Sequence, residues 1–269
     1  MATDEIIETA ATARRLGCGT VVLQSGEDPS FTAPMLGEII RRIKDTTGLA
    51  VTLSVGVRTR EELAELKAAG CDRYLLRFET SSETTFSAIH PDDTFARRVT
   101  CLNDLRELGY QVGSGFMIGL PDTTLEQVAR DIMFATQLNL QMIGCGPFLA
   151  HPGTPLAGHA TLENRNVYYA VMALLRILNP HAHIPATTAF DALEPNGRNR
   201  VMQCGANIFM PNITPAKYRR LYQLYPNKPS VDEDGEDSLR NVCQRLTALG
   251  RTISTEAGHA LANDGIGKR

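Results

Sequence analysis

Buried strands and amphipathic helices alternate along most of this chain, and this alternation constrains its fold more than any other feature. Apolar runs typical of parallel strands occur at residues 20–24, 50–54, 73–77, 111–117, 142–146, 183–187 and 207–210. A segment with helical periodicity follows every run but the last, and another, residues 4–16, precedes the first. Such alternation predicts right-handed βαβ crossovers and a parallel sheet.

The number of strands favours a barrel over an open sheet. Seven strands are visible, and the chain opens on the helix that would follow an eighth. We therefore predict an α/β fold, a (β/α) TIM-type barrel with seven of its eight strands, over residues 1–226. Residues 227–269 are expected to form a C-terminal loop, a helix at 238–249 and a tail, packed on the barrel, with the tail loosely ordered after Arg251. A doubly wound sheet is the alternative, although residues 24–28 bring acid where a dinucleotide phosphate needs backbone amides.

Charge and hydropathy exclude several classes of partner. Lys and Arg number 27 against 30 Asp and Glu, without long runs of either sign, so we expect no nucleic-acid binding. The longest apolar segment, residues 167–178, carries Arg176 and is only about half the length of a membrane span. The N-terminal residues do not resemble a signal peptide, which predicts a cytoplasmic protein acting on a small molecule.

The cysteines predict neither disulfides nor a local metal site. None has another close enough in sequence for a metal motif, so each is interpreted as a small buried thiol. They are Cys18, Cys71, Cys101, Cys145, Cys204 and Cys243.

Polar residues gather where the predicted strands end, which is where (β/α) barrels build their active sites. Arg77 and Glu79 lie two residues apart at the end of the third strand, on one side of the chain. The alternative for this strand is a surface ion pair that involves Arg73. Arg98 lies in the first turns of a predicted helix, 94–108, where the helix dipole disfavours a cation, so an anionic partner is expected. Without a Ser/His/Asp pattern or paired histidines, the set suits binding a zwitterion better than hydrolysis.

Several stretches together resemble the radical S-adenosylmethionine (SAM) enzymes of the biotin-synthase-like group, and among them the FeFe-hydrogenase maturases of the HydE type. The stretches that carry the resemblance occur in order over about four fifths of the chain. They are residues 22–29, 73–80, 119–121, 146–156, 184–189, 204–207, 210–212 and 222–226.

The resemblance implies a SAM site and a substrate cavity. Residues Ser25, Gly26 and Glu27 match the segment that binds the SAM ammonium, Glu79 matches a glutamate that holds SAM, and Arg98 matches the arginine that pairs with its carboxylate. The implied wall of the cavity consists of Thr52, Arg77, Met142, Thr187, Thr188, Tyr222 and Tyr225. In the intact enzyme, the implied activity is 5′-deoxyadenosyl radical chemistry on an iron–cysteine carbonyl/cyanide precursor, with other hydrogenase maturation proteins as possible partners.

Two departures from the family pattern bear on the cofactors. The C-x3-C-x2-C motif that binds the family's 4Fe-4S cluster is absent together with the first strand, so no metal ligands are assigned and the chain by itself is expected to be inactive. Ser230, Ser238 and Asn241 stand where some members have cysteines for an auxiliary cluster, so none is expected here. We interpret the first departure as N-terminal truncation. A methylornithine synthase, a biotin synthase and a non-catalytic SAM-binding scaffold remain the alternatives.

Overall fold

The computed structural model describes residues 1–222, 224–226, 228 and 233–261. Its strands are β1 (Thr20–Gln24), β2 (Ala50–Ser54), β3 (Arg73–Leu75), β4 (Gln111–Ser114), β5 (Met117–Ile118), β6 (Met142–Ile143) and β7 (Gly146–Pro147). Its helices are α1 (Thr3–Arg15), α2 (Ala33–Thr47), α3 (Arg60–Ala68), α4 (Glu83–Ile89), α5 (Phe95–Glu107), α6 (Leu125–Gln137), α7 (Asn166–Leu178), α8 (Ala189–Leu193), α9 (Gly197–Gln203), α10 (Ala216–Arg219) and α11 (Gly235–Ala248). Ser230, one of the predicted auxiliary-cluster positions, lies outside the described residues.

The strands form a parallel sheet in chain order, as the alternation predicts. Strands β1, β2, β3, β4 and β6 are hydrogen-bonded side by side, and β5 pairs with β7. Isolated bridges join Met142 to His183 and Pro185 to Ile208, which continue the order of strands beyond β6. At the opposite edge, Val22 of β1 is 43% exposed.

The strands are shorter than predicted, and the differences have local causes. The predicted third strand ends at Leu75 instead of Arg77. The predicted strand 111–117 divides into β4 and β5 around Gly115, whose backbone approaches Gly144 so closely that a Cβ would lie 1.9 Å from its carbonyl oxygen. The predictions of regular strands at 183–187 and 207–210 are wrong, since the first makes two isolated bridges and the second makes one. Pro185 has no N–H for a ladder, which contributes to the interruption.

Side chains alternate between the helix-covered face of the sheet and its inner face, which we call the lumen. Leu53, Tyr74 and Val112 lie in register on β2, β3 and β4 and are buried beneath the helices. Leu75 and Met142 lie on the other face, in register on either side of Gly113, and are only partly buried. The helix-covered face therefore holds the main core, and the lumen is left for polar and half-exposed groups.

The described part of the tail, residues 252–261, is bound to the sheet, contrary to the prediction that the tail after Arg251 is loosely ordered. Thr20 Oγ1 donates to the Ala257 carbonyl at 2.7 Å, and Arg73 Nη2 donates to the carbonyls of Ala257 and Gly258 at 2.6 and 2.8 Å. His183 Nε2 lies 2.9 Å from the Gly258 carbonyl oxygen. These contacts span more than 70 residues of sequence, so local composition could not reveal them. The tail closes the end of the lumen where the strands begin.

No helix within the described part of the chain is long and apolar enough to cross a membrane.

Candidate functional site

Arg77 and Glu79 form an ion pair just beyond the end of β3. Arg77 Nη2 lies 2.9 Å from Glu79 Oε2, but the two groups are not aligned for a hydrogen bond, and both atoms are buried without a hydrogen-bond partner among the described residues. This pair replaces the alternative surface pair that involves Arg73, whose guanidinium contacts the C-terminal tail. The strand therefore brings its two predicted site residues together.

The backbone at Glu79 is strained. Its φ is +65°, a region that residues other than glycine rarely adopt, and the Thr80 N–H donates to the Phe78 carbonyl at 2.8 Å, which closes a γ-turn centred on Glu79. Such a conformation costs on the order of 1–3 kcal/mol and persists only where surrounding contacts impose it. Glu79 N–H donates to the Gly115 carbonyl and its carbonyl accepts from the Met117 N–H, each at 3.0 Å. Strand β4–β5 thus holds one side of the turn.

Arg98 has the anionic partners that its place in a first helical turn predicts. It extends from the start of α5, its side chain is 4% exposed, and its Nη2 lies 2.8 Å from Glu27 Oε1 and 2.7 Å from Asp93 Oδ2. Its Nη1 donates to the Arg77 carbonyl at 3.1 Å. Burial alone would raise the pKa of Asp93, but the bonds from Arg98 lower it below the ordinary value. Glu27 and Arg98, both predicted SAM-binding residues, are therefore each other's partner.

The loop after β1 presents Ser25, Gly26 and Glu27 at the same edge of the sheet. Ser25 N–H donates to the Ser54 carbonyl at 3.1 Å, which continues the pairing of β1 with β2. Glu27 then crosses over Gly56, where a Cβ would lie 2.2 Å from Glu27 Cγ. Gly56 also has φ of +84°, so two separate requirements favour glycine there. Residue Gly26 has open space beside its Cα.

The predicted cavity residues divide between the lumen and its rim. Thr52 is buried in β2, and Met142 packs over Gly113 from β6. Thr187 reaches β7 because Gly146 lacks a side chain, since a Cβ there would lie 2.6 Å from Thr187 Oγ1.

The remaining predicted cavity residues belong to the rim. Thr188 Oγ1 and the Tyr225 hydroxyl share a hydrogen bond. Tyr222 is 37% exposed, and its ring lies beneath the ammonium of Lys228, 4.6 Å from the ring centroid. Burial raises the pKa of Tyr225, so its hydroxyl remains a neutral hydrogen-bonding group.

The sequence reasoning missed three residues that support the site. Asp93 orients Arg98, Asp131 binds the segment after Glu79, and Arg198 stacks 3.5 Å from the Phe209 ring centroid while its Nε donates to the Ala186 carbonyl. For Asp131 a signal exists: it is an acid on the buried face of α6, beside Val128 and Ile132. An acid on an apolar helical stripe requires buried hydrogen-bond donors.

Several unsatisfied groups fit the binding of a polar ligand such as SAM at this edge. Buried side-chain atoms without a hydrogen-bond partner in the described residues include Arg77 Nε, Arg77 Nη2, Glu79 Oε2 and Thr187 Oγ1. Native proteins leave few buried polar atoms unpaired, so atoms of this kind are typical of a site that a ligand completes. A guanidinium group, a hydroxyl group and a carboxylate together can bind both charges of a zwitterion.

The side chains that the structure describes do not form a ligand set for an iron–sulfur cluster. No group of three His, Cys, Asp or Glu side chains arranged to hold a metal occurs in the residues that the structure describes. All six cysteines are free thiols; three of them, Cys71, Cys101 and Cys145, are buried as predicted, whereas the others are partly exposed. Burial raises the pKa of Cys71 to about 12, which disfavours the thiolate that iron requires.

Comparison with known proteins identifies the family of the chain. The family model described as the radical SAM superfamily matches residues 1–135. The [FeFe] hydrogenase maturase subunit HydE of Thermotoga maritima is 44% identical over 262 residues, which are 96% of this chain and 74% of that protein. The chain belongs to the radical SAM superfamily.

Two further similar proteins bear on the biotin-synthase-like group and on the barrel-type fold. A biotin synthase from Geobacillus thermodenitrificans is 32% identical over 67% of this chain and 54% of its own length. The crystal structure of methylornithine synthase (PylB) superposes with a TM-score of 0.79 at 23% identity, covering 94% of this chain and 74% of that one. The predicted membership of the biotin-synthase-like group and the predicted α/β barrel-type fold are confirmed.

Proposed function

We propose that this chain is the SAM-binding barrel of a maturase that helps to assemble the diiron site of FeFe-hydrogenases. The observation that carries the proposal is the 44% identity to a HydE subunit over 96% of the chain. The carboxylates, guanidinium groups and hydroxyls that meet at the carboxyl ends of the strands support it.

The proposed SAM site uses residues from the loop after β1, the segment after β3 and the first turn of α5. Glu27, with Ser25 and Gly26, would bind the ammonium of the methionyl group, Arg98 its carboxylate, and Glu79 would hold the same cofactor from β3. Glu27 and Arg98 lie 2.8 Å apart. A zwitterion can exchange with such a pair because its ammonium replaces the arginine beside Glu27 and its carboxylate replaces the glutamate beside Arg98. Asp93 remains bound to Arg98 and keeps it oriented.

The proposed substrate lies deeper, in the lumen. Arg77 Nε and Thr187 Oγ1 have no hydrogen-bond partner in the described residues, and such donors suit the cyanide and carboxylate groups of an anionic iron–cysteine carbonyl/cyanide complex. Thr52, Met142, Thr188, Tyr222 and Tyr225 would complete the wall. In radical SAM enzymes the bound SAM is the source of a 5′-deoxyadenosyl radical. Because the C-x3-C-x2-C motif is absent from this sequence, we propose that residues 1–269 alone bind SAM without cleaving it.

The alternative functions, another synthase of the group or a non-catalytic scaffold, predict that the chain binds different ligands. A methylornithine synthase or biotin synthase would use the same SAM residues but accept another substrate. A non-catalytic scaffold, favoured by the missing cysteine motif, would bind SAM or a partner protein, including other maturation proteins, and no organometallic complex.

Calorimetric titration with SAM, followed by thermal unfolding with a panel of second ligands, separates these functions. We expect SAM to bind, and a synthetic iron–cysteine carbonyl/cyanide complex to raise Tm further in its presence, since a ligand that binds only the folded state stabilises it. Biotin and 3-methylornithine are the alternative second ligands of the panel. A shift with either of these and none with the iron complex would reject the maturase, and no second shift at all would favour the scaffold.

A further inference from the structure

The segment that follows Glu79 is fastened to a buried carboxylate on another element. Asp131 of α6 is 0% exposed and accepts hydrogen bonds from the Ser81 N–H at 2.6 Å and the Ser81 hydroxyl at 2.6 Å. Thr80 Oγ1 lies 3.3 Å from the same oxygen, and Gln127 Nε2 donates to it at 2.9 Å. Two of the three donor residues are therefore the immediate successors of Glu79 in the chain.

These bonds complete the constraint on the γ-turn. Glu79 is held on one side by Gly115 and Met117, and without a second anchor the chain beyond it could relax out of the positive-φ conformation. Asp131 supplies that anchor, because it binds Thr80 and Ser81 through both side-chain and backbone donors. The direction of the Glu79 side chain follows from the turn, since the turn sets its Cα–Cβ bond.

We propose that Asp131 is a positioning residue for Glu79: by holding Thr80 and Ser81 it keeps the strained turn that aims the Glu79 carboxylate at the SAM site. The inference rests on the proposed function for the identity of the ligand. Asp131 itself is fully enclosed and does not touch that ligand.

Asp131→Asn tests this with little change of shape, because asparagine keeps one acceptor oxygen while losing the charge that strengthens the bonds. Asp72→Asn is the matched control. Asp72 also accepts from a backbone N–H, that of Val51 at 2.8 Å, but it lies at the opposite end of β3. By calorimetry we expect about a tenfold loss of SAM affinity for Asp131→Asn and less than about a twofold change for Asp72→Asn.

A double-mutant cycle with Glu79→Gln separates positioning from a general structural role. If Asp131 acts through Glu79, Asp131→Asn causes no further loss of SAM affinity in the Glu79→Gln background. An equal loss in both backgrounds, or no loss in either, overturns the proposal. If Asp131→Asn does not fold, Ser81→Ala carries the same cycle, with an expected loss of about threefold.

Hydrogen exchange keeps this test independent of the proposed function. Should the unaltered chain bind no SAM, the proposed function fails, and the amides of Glu79 and Thr80 still report on the turn. Faster exchange of these two amides in Asp131→Asn than in Asp72→Asn supports the positioning role. Equal exchange in the two variants rejects it.

Discussion

The two ends of the lumen use similar residues in opposite ways. Where the strands begin, the Arg73 guanidinium donates to the Ala257 and Gly258 carbonyls, and Thr20 donates to the first of these. Where the strands end, Arg77 meets a carboxylate in poor alignment, and buried atoms of both groups have no hydrogen-bond partner in the described part of the chain. One end is thus covered by the protein's own backbone, with only Arg73 Nε unpaired among the described atoms of that arginine, whereas the other end is where we propose that a ligand binds.

Arg98→Ala should have the largest effect at the ligand end. Among the described residues it leaves the Asp93 carboxylate with only the exposed Arg97 as a cationic partner, 3.4 Å away, and breaking a buried ion pair destabilises by about 3–5 kcal/mol. We expect the free energy of unfolding in urea to fall by that amount and SAM affinity to fall with it. Arg41→Ala, which removes an exposed ion pair with Glu38 on α2, is the control. Unchanged SAM binding by a folded Arg98→Ala protein would remove Arg98 from the site.

Arg73→Ala should separate the two ends of the lumen. It removes one donor from each of the Ala257 and Gly258 carbonyls, which keep contacts with Thr20 and His183, so we expect the free energy of unfolding in urea to fall by about 2–3 kcal/mol. SAM affinity, measured on the folded protein, should not change, because the lost contacts lie at the far end of the strands. A parallel loss of SAM affinity would show that the two ends are coupled.

Glu79→Gly should weaken SAM binding and relieve the backbone strain of the turn. Glycine adopts a φ of +65° without strain, so we expect Glu79→Gly to exceed Glu79→Ala by roughly 1 kcal/mol in the free energy of unfolding, since both lose the ion pair with Arg77, and to bind SAM more weakly than the unaltered chain. Glu79→Ala keeps the strain and loses the same carboxylate, so it should bind SAM as poorly without the gain in stability. Equal stability of the two variants would mean that the turn is not strained.

The smallest effect should come from pH at the closed end. Burial, assisted by the charge of Arg73, lowers the pKa of His183 below its ordinary value of 6.5. The unfolded chain then binds the proton more readily than the folded one. The stability that His183 contributes is therefore fully present above pH 6.5 and falls as the pH decreases below that value. We expect Tm to fall by no more than about 2–4 °C over this range. His183→Gln should lack this decrease of Tm at low pH. Identical dependence of Tm on pH in the two proteins would show that His183 does not cause it.

Most of the framework follows from local sequence. The alternation of strand and helix predicted the parallel order of β1 to β6, and Arg98 in a first helical turn predicted anionic partners that the structure identifies as Glu27 and Asp93. Regular strands at 183–187 and 207–210 were predicted wrongly, because hydropathy does not report how many ladder bonds an interrupted strand can form.

The sequence by itself determined the fold class, the family and the residue types at the carboxyl ends of the strands, because these depend on periodicity and short motifs. Only the tertiary structure decided that Glu79 lies in a strained turn, that Asp131 anchors the segment after it, and that the tail closes the far end of the lumen. Each of these depends on hydrogen bonds between groups separated by about 36 to more than 180 residues. Such pairings are set by how the elements pack, which a local pattern does not contain.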